Sequence, residues 1–329
     1  MSTVTKSAPS PDGSGSSGFT IKQIRQGIAI LLAAGGLLLT LLNGMNLAYL
    51  LIGAWVGLLI WKPYHAILVF YSLISIYPVL RVISIALRPS DSLLSRSLDI
   101  IPANATLNNI VALFQEEAFL LWIWNSFVIT VSVSIMGVII AATGAYAFSR
   151  WRFPGRRPAL IFLLTTQMIP AGMLLVPIFV IVAQLNLSNS IIGLMLAYTT
   201  TAVPFSIWIL KGYYDTIPVD LEEAAMVDGC NRLEAFWKVI LPLSTPALSI
   251  VFLFNFLAAW SEYLVARVIL QAGAVRTWPL GLADLIAQFD TDWGKYAAGS
   301  VFVTIPVLIL FVWQSKYLIS GLTLGSVKG

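Results

Sequence analysis

Long apolar runs separated by short polar segments make up most of the chain. Eight runs can be delimited, at about residues 27–45, 47–61, 65–87, 122–148, 159–182, 191–210, 243–259 and 298–313. Runs of about twenty nearly uncharged residues have the length of a helix that crosses a bilayer, whereas the strands of a barrel are about half as long and alternate. The pattern predicts an all-α integral membrane protein with about eight transmembrane helices.

The segment before residue 65 is predicted to differ from the rest. Residues 1–21 are rich in Ser, Gly and Pro, which predicts a disordered cytoplasmic tail. The first two apolar runs are separated only by the polar turn at 43–46, which predicts an extra hairpin at 22–64. The second run is short, so a re-entrant pair is the alternative to a full crossing, and a cleaved signal peptide is disfavoured because no small-residue cleavage site precedes it.

One polar stretch, at 217–242, lies between two of the later runs. Asp220 with Glu223, and Asn231 with Glu234, form two capping-box patterns that predict two short helices. Gly229 stands between them, where a left-handed turn would end the first helix. Four large apolar residues are predicted to share one face of the second helix, at helical spacing: Leu233, Phe236, Trp237 and Ile240.

Composition supports a membrane protein and removes several classes of function. The chain is 58% hydrophobic and 10% charged, with a mean hydropathy of +0.88, far from a soluble domain. One Cys and one His exclude a disulfide framework and the usual metal sites. No glycine-rich loop is followed by Lys-Ser or Lys-Thr, so we expect no bound cofactor, no ATP site and no catalysis in this chain.

Charge placement predicts the orientation. The net charge of +4 is interpreted as topology, with no nucleic acid as partner. The densest basic cluster, at 149–157, is predicted to be cytoplasmic, and so are both termini. Since polar side chains within spans are costly in lipid, Gln167, Asn255 and Glu262 are predicted to line a translocation path. Interhelical hydrogen bonds for Gln167 and Asn255, and an ion pair with Arg267 or an interfacial anchor for Glu262, are the alternatives.

The stretch at 217–242 resembles the EAA loop of the membrane subunits of bacterial ABC importers. The matching residues are Glu223, Ala224, Ala225, Asp228, Gly229, Leu241 and Pro242. From about residue 71 the layout is similar to the maltose-type carbohydrate importers, with Asn125-Ser126, the segment 145–150 and the closing segment 321–329 as further matches. Of the two permease subunits in that family, the chain is similar to the one called the G protein. The extra hairpin is the main departure from the family's layout.

The resemblance implies a type I permease core of six spans at 65–313, with the coupling loop at 217–242. It implies a role in coupling to the ATPase for Glu222, Glu223, Ala224, Ala225, Asp228, Gly229 and Phe236. It also implies a cytoplasmic tail at 314–329 that contacts the ATPase through Gly321, Thr323, Gly325, Lys328 and Gly329. The expected location is a bacterial or archaeal cell membrane.

The resemblance further implies several partners: a second permease, two ATPase subunits that use ATP and Mg²⁺, and an extracytoplasmic binding protein. The cargo would be a sugar, an oligosaccharide or a polyol phosphate. Two alternatives stay open, an importer of a non-sugar substrate and an ion-coupled secondary transporter that acts alone. For the stretch at 217–242, an ordinary amphipathic helix pair is the plainer reading.

Overall fold

A computed structural model describes residues 22–23, 25–32, 47–89, 101–102, 104–271, 275–286 and 291–326, and every regular element within these ranges is helical. The predicted tail at 1–21, the predicted turn at 43–46, and Lys328 and Gly329 lie outside the described residues. The chain divides into two compact units, residues 1–80 and 81–329.

The first unit contains helical segments at 22–23 and 25–32, helix α1 (Leu47–Trp61) and most of α2 (Pro63–Ala86). The Trp55 indole N–H donates a hydrogen bond to the Ala66 carbonyl oxygen at 3.0 Å, so α1 packs against the start of α2. A side chain at Gly57 would meet the Ala29 carbonyl oxygen at 2.6 Å, so α1 also lies close to the segment 25–32. With 15 residues, α1 is shorter than a perpendicular crossing requires.

The second unit contains the remaining helices. In chain order they are α3 (Asn108–Glu116), α4 (Phe119–Arg150), α5 (Arg156–Thr166), α6 (Ala171–Gln184), α7 (Ile191–Tyr214), α8 (Asp220–Val227), α9 (Arg232–Leu243), α10 (Thr245–Trp260), α11 (Leu264–Ile269), α12 (Trp278–Asp284) and α13 (Trp293–Ser326).

Helix α4 is the centre of this unit and packs against α7 and α10. Its buried positions recur every three or four residues from Phe119 to Tyr146, so a single face is buried along its length. Many of these positions are small, including Ser134, Gly137 and Ala141. Small residues let helix backbones approach closely in a membrane, where packing and hydrogen bonds drive association.

One of the predicted spans is broken, and another meets the helix of the preceding loop at a sharp angle. The run at 159–182 forms α5 and α6, which meet at 104°, and Pro170 directly precedes α6. Helices α9 and α10 meet at 75° on either side of Ser244. Pro177 and Pro204 lie inside α6 and α7 without ending them.

The last helix is longer than the run at 298–313 predicts. Helix α13 begins at Trp293 and continues to Ser326, so the described part of the predicted tail is helical rather than a separate segment. By length and composition, four described helices can cross a membrane (α2, α4, α7 and α13), or up to six if each bent pair is one span.

Candidate functional site

The loop between α7 and α10 holds two short helices joined at Gly229, as the sequence predicts. Asn231 caps α9 with a full capping box: its side chain accepts from Glu234 N–H at 2.9 Å, and the Glu234 carboxylate accepts from Asn231 N–H at 2.8 Å. Gly229 has φ +92°, in the left-handed region. The prediction of a first capping box is wrong. Helix α8 starts at Asp220 itself, and its N-cap residue, Val219, makes no side-chain hydrogen bond to the helix.

The prediction that four apolar residues share one face of α9 is also wrong. The segment Phe236–Ile240 forms a π-helical turn, which changes the angle between successive side chains. Phe236 and Ile240 are buried, whereas Leu233 and Trp237 are 66% and 61% exposed. The four residues therefore divide into an inward pair and an outward pair.

Glu222 faces the interior and fastens α8 to the end of α4. Its carboxylate forms an ion pair with the Arg150 guanidinium, and both side chains are 7% exposed. The Tyr146 hydroxyl donates a second hydrogen bond to Glu222, at 2.7 Å, while the Tyr146 ring lies 4.7 Å from the ring of Phe236. Glu222 and Phe236 are buried within the chain and support the loop from inside, and their role in coupling stays a prediction.

A second polar contact holds the start of the loop. Asp215 accepts hydrogen bonds from Lys211 at 2.5 Å and from Ser149 at 2.7 Å. Burial acts to raise the pKa of Asp215, but the hydrogen bonds from Lys211 and Ser149 outweigh it, so that pKa lies below its usual value. Asp215 is therefore ionised at neutral pH and ties the end of α7 to the end of α4.

The outer surface of the loop is partly apolar. Its side chains make no polar contact with α4 in the part of the chain that the structure describes. Glu223, Ala224, Asp228 and Gly229 are exposed, and Ala225 is half-buried. Val227, beside them, is 87% exposed. Together with Leu233 and Trp237 these residues form a surface of small, acidic and apolar groups, which we call the loop surface.

Gln167, Asn255 and Glu262, predicted from their polarity within spans, line one cavity of about 340 Å³ between α7, α10 and the α5–α6 break. A neighbouring cavity of about 650 Å³ at that break shares Gln167 and Thr201 with it. The structure thus brings together three residues that are separated by up to 95 positions (262 − 167).

Each of the three has a distinct environment. Gln167 donates to the Thr201 carbonyl oxygen at 3.3 Å. Asn255 Oδ1 accepts from the Ser206 hydroxyl at 3.0 Å, whereas Asn255 Nδ2 is buried with no partner within the described chain. Both bonds are the interhelical contacts that the alternative reading anticipates.

Glu262 caps a helix. Its carboxylate accepts from the N–H groups of Val265 and Ala266, at 2.9 and 3.1 Å, at the start of α11. Arg267 instead pairs with Asp284 at 3.0 Å, so the alternative ion pair between Glu262 and Arg267 is wrong. The Glu262 carbonyl oxygen also accepts from the Tyr198 hydroxyl at 3.4 Å, so both ends of the residue are held at the cavity wall.

The predicted tail residues divide at Ser326. Gly321, Thr323 and Gly325 fall within α13, and Lys328 and Gly329 lie outside the described residues. Within the described ranges, no group of three or more His, Cys, Asp or Glu side chains could hold a metal ion.

Sequence reasoning assigned no structural role to four residues near the two ends of α4, which were noted only within segments that match the family. Tyr146 and Arg150 hold the loop at one end, and Arg150 was also interpreted as part of a basic topology signal. At the other end Asn125 donates to the Arg276 carbonyl oxygen at 3.0 Å, and Ser126 accepts from Trp278 N–H at 2.8 Å. The available signal was the polarity of Asn125 and Ser126 inside an apolar run.

Known proteins match most of the chain. The family model described as "Binding-protein-dependent transport system inner membrane component" matches residues 134–319. The diacetylchitobiose uptake system permease protein DasC of Streptomyces coelicolor is 34% identical over 270 residues, which are 82% of this chain and 97% of DasC. The maltose/maltodextrin permease protein MalG of Salmonella typhimurium is 38% identical over 216 residues, 64% of this chain and 73% of MalG.

A solved structure has the same arrangement. A chain in the crystal structure of a bacterial ABC transporter involved in the import of the acidic polysaccharide alginate superposes with a TM-score of 0.67 and 25% identity. The superposition covers 77% of this chain and 94% of that chain.

Proposed function

Because this chain belongs to the binding-protein-dependent transport system inner membrane component family, we propose that it is a permease subunit of an ATP-driven importer of sugars or oligosaccharides. We infer the class of cargo from relatives, whose names specify diacetylchitobiose, maltodextrin and galactooligosaccharides. Family membership favours this function over a secondary transporter that acts alone.

One observation carries the proposal: the loop between α7 and α10 is fastened to α4 on its inner side and presents the loop surface outward. An exposed patch that contains Val227, Leu233 and Trp237 is typical of a surface that a partner protein covers. We assign the loop surface to an ATPase subunit, with direct contacts at Glu223, Ala224, Ala225, Asp228 and Gly229. Glu222 and Phe236 act by positioning it.

The proposed membrane arrangement counts the bent pair α5 and α6 as one span and leaves α9 in the cytoplasmic loop. The core then has six spans, formed by α2, α4, α5 with α6, α7, α10 and α13. Residues 22–64 add a hairpin. The loop surface and both termini lie in the cytoplasm, since Arg150, Arg156 and Lys211 cluster at that end of the helices.

Four kinds of partner complete the proposed importer: a second permease, a pair of ATPase subunits, an extracytoplasmic binding protein and the surrounding lipid. ATP and Mg²⁺ act on the ATPase subunits, and this chain binds no cofactor. The segment from Gly321 to Gly329 adds a second ATPase contact. Movement of the loop surface as the ATPase closes would alternate access to the cavity between the permeases.

The cavity with Gln167, Asn255 and Glu262 is proposed to form this subunit's half of the translocation path. Its wall includes the side-chain amides of Gln167 and Asn255 beside apolar rings. Such a wall suits a hydroxyl-rich cargo. The amides supply hydrogen-bond partners, and the apolar surface keeps the binding weak enough for the cargo to leave.

Purification in mild detergent from the native membrane tests the proposal. We expect an ATPase and a second permease to be recovered with this chain and identified by mass spectrometry. The binding protein encoded with them is then screened for affinity toward oligosaccharides. Recovery of this chain alone, with transport that runs on an ion gradient, would contradict the proposal.

A further inference from the structure

Helix α4 is fixed at both ends to segments that lie on opposite sides of the helix bundle. At the Arg150 end, the guanidinium binds Glu222 of α8 and also donates to the Ile217 carbonyl oxygen at 3.0 Å. Tyr146, one turn earlier, bonds Glu222 and packs on Phe236 of α9. Because a planar guanidinium fixes the direction of each bond that it donates, α8 cannot shift without moving the end of α4.

The opposite end of α4 is attached as closely to the segment 275–286. Asn125 and Ser126 bond the backbone at Arg276 and Trp278. Helix α12 also sits directly on Trp122, since a side chain at Gly281 would approach the Trp122 ring to 2.1 Å. Glycine is therefore required for this contact.

Between these attachments α4 is stiff. Asn125 and Tyr146 are 21 residues apart, which corresponds to about 30 Å along a helix axis. Among the candidate spans of the described chain, α4 alone is neither bent nor interrupted by proline: Pro78, Pro204 and Pro306 lie within α2, α7 and α13. Each backbone hydrogen bond of α4 can therefore form, which makes the helix a poor hinge.

We propose that α4 is the rigid link through which the loop surface and the segment 275–286 influence each other. The attachment residues are Tyr146, Arg150 and Glu222 at one end, and Trp122, Asn125 and Ser126 at the other. This inference rests on the proposed function, in which the loop surface meets the ATPase in the cytoplasm. The segment 275–286 lies at the opposite end of α4 and would then face the side from which the binding protein docks. Both sets are positioning residues.

A double-mutant cycle across the length of α4 tests the link in the complete importer, reconstituted in lipid nanodiscs. The readout is the ATPase rate with sugar-loaded binding protein divided by the rate without it. The inner variant combines Tyr146→Phe, Arg150→Met and Glu222→Leu, which replaces the buried polar cluster with apolar groups of similar size. The outer variant combines Asn125→Ala and Ser126→Ala.

We expect each variant to lower the stimulation ratio by about fivefold or more, the usual scale of coupling between distant sites. The combined variant should be no worse than either one, because both break the same link. Sites this far apart with no connection have effects that add. Losses that multiply, or ratios that stay unchanged, would overturn the proposal.

Two controls separate the link from general damage. Tyr213→Phe loses a hydroxyl bond to the Leu243 carbonyl oxygen at the same end of the bundle, and Ser300→Ala loses one in α13. Both should keep the ratio. Should the inner variant fail to assemble, Tyr146→Phe and Glu222→Gln replace it with the same expected loss of stimulation.

The link and the proposed function fail in different ways. A wild-type complex without an ATPase, or without stimulation by the binding protein, contradicts the proposed function. A stimulated wild-type complex whose α4 variants keep the full ratio contradicts the link alone.

Discussion

The Ser206 hydroxyl donates a hydrogen bond to Asn255 Oδ1 across 3.0 Å, and this bond joins α7 to α10 beside the cavity. Ser206 also bonds the Ala202 carbonyl oxygen, at 2.8 Å, so the hydroxyl is held in place. The other amide atom, Asn255 Nδ2, has no partner among the described residues. Asn255 thus combines an interhelical contact with a place in the cavity wall.

Ser206→Ala and Asn255→Ala separate these two roles. Both lose the interhelical bond, so we expect both to be less stable by about 0.6–1.7 kcal/mol. Only Asn255→Ala also changes the cavity wall, so only that variant should also reduce the rate of sugar uptake. Thermal melting of the purified complex and uptake into vesicles measure the two effects, and equal uptake by both variants would mean that Asn255 serves packing alone.

Gly229→Asp is expected to uncouple ATP hydrolysis from uptake. At φ +92° a side chain strains the backbone by about 1–2 kcal/mol. An added Cβ at Gly229 would meet no atom within 4 Å, so the effect acts through the direction of the turn and not through a clash. Uptake per ATP hydrolysed should fall while the complex still assembles.

Gly212 supplies a matched control for this backbone effect. It also has open space around it but lies inside α7 with an ordinary helical backbone. We expect Gly229→Ala to reduce coupling and Gly212→Ala to leave it unchanged. Full uptake by both Gly229 variants would remove Gly229 from the coupling surface.

Bulky residues at Ala224 and Ala225 should weaken the contact with the ATPase. Ala224 is exposed on α8, so a larger side chain is tolerated by the fold and alters only the outward surface. We expect Ala224→Leu with Ala225→Leu to keep the protein in the membrane but to lose most uptake, measured with ATPase recovery on affinity purification. Ala224→Ser, which is nearly the same size, should behave as wild type.

Removal of residues 321–329 should reduce ATPase binding. Helix α13 reaches Ser326, so the deletion shortens this helix beyond its apolar part without touching the cavity. The measurement is the amount of ATPase that is recovered with the permease at rising salt. Deletion of residues 1–20 serves as the control, and an equal ATPase yield from both truncations would refute the tail contact.

Local features of the loop could be predicted from the sequence because they depend on neighbours in the chain. The Asn231 capping box and the left-handed turn at Gly229 follow from spacing and from backbone preference. The apolar face of α9 could not be predicted correctly, because the π-helical turn at Phe236–Ile240 replaces the regular helical angle. Local periodicity carries no signal for that change.

Long-range contacts were predictable only where polarity stands out. Gln167, Asn255 and Glu262 were expected at a path because polar groups in lipid are costly, and they line one cavity. The pairing of Arg150 with Glu222 spans 72 positions, and nothing in either segment marks the partner. Pro170 stands at the break between α5 and α6, whereas Pro177 lies inside α6 without ending it, so proline alone does not locate a break.

The most direct test of the central claim is sugar accumulation by the purified complex in proteoliposomes. ATP is enclosed with the ATPase domains, and the binding protein with a labelled oligosaccharide is added on the opposite side. The account predicts accumulation that requires both ATP and the binding protein, and that disappears in the Gly229→Asp complex. Accumulation that needs neither, and instead follows an imposed ion gradient, would contradict it.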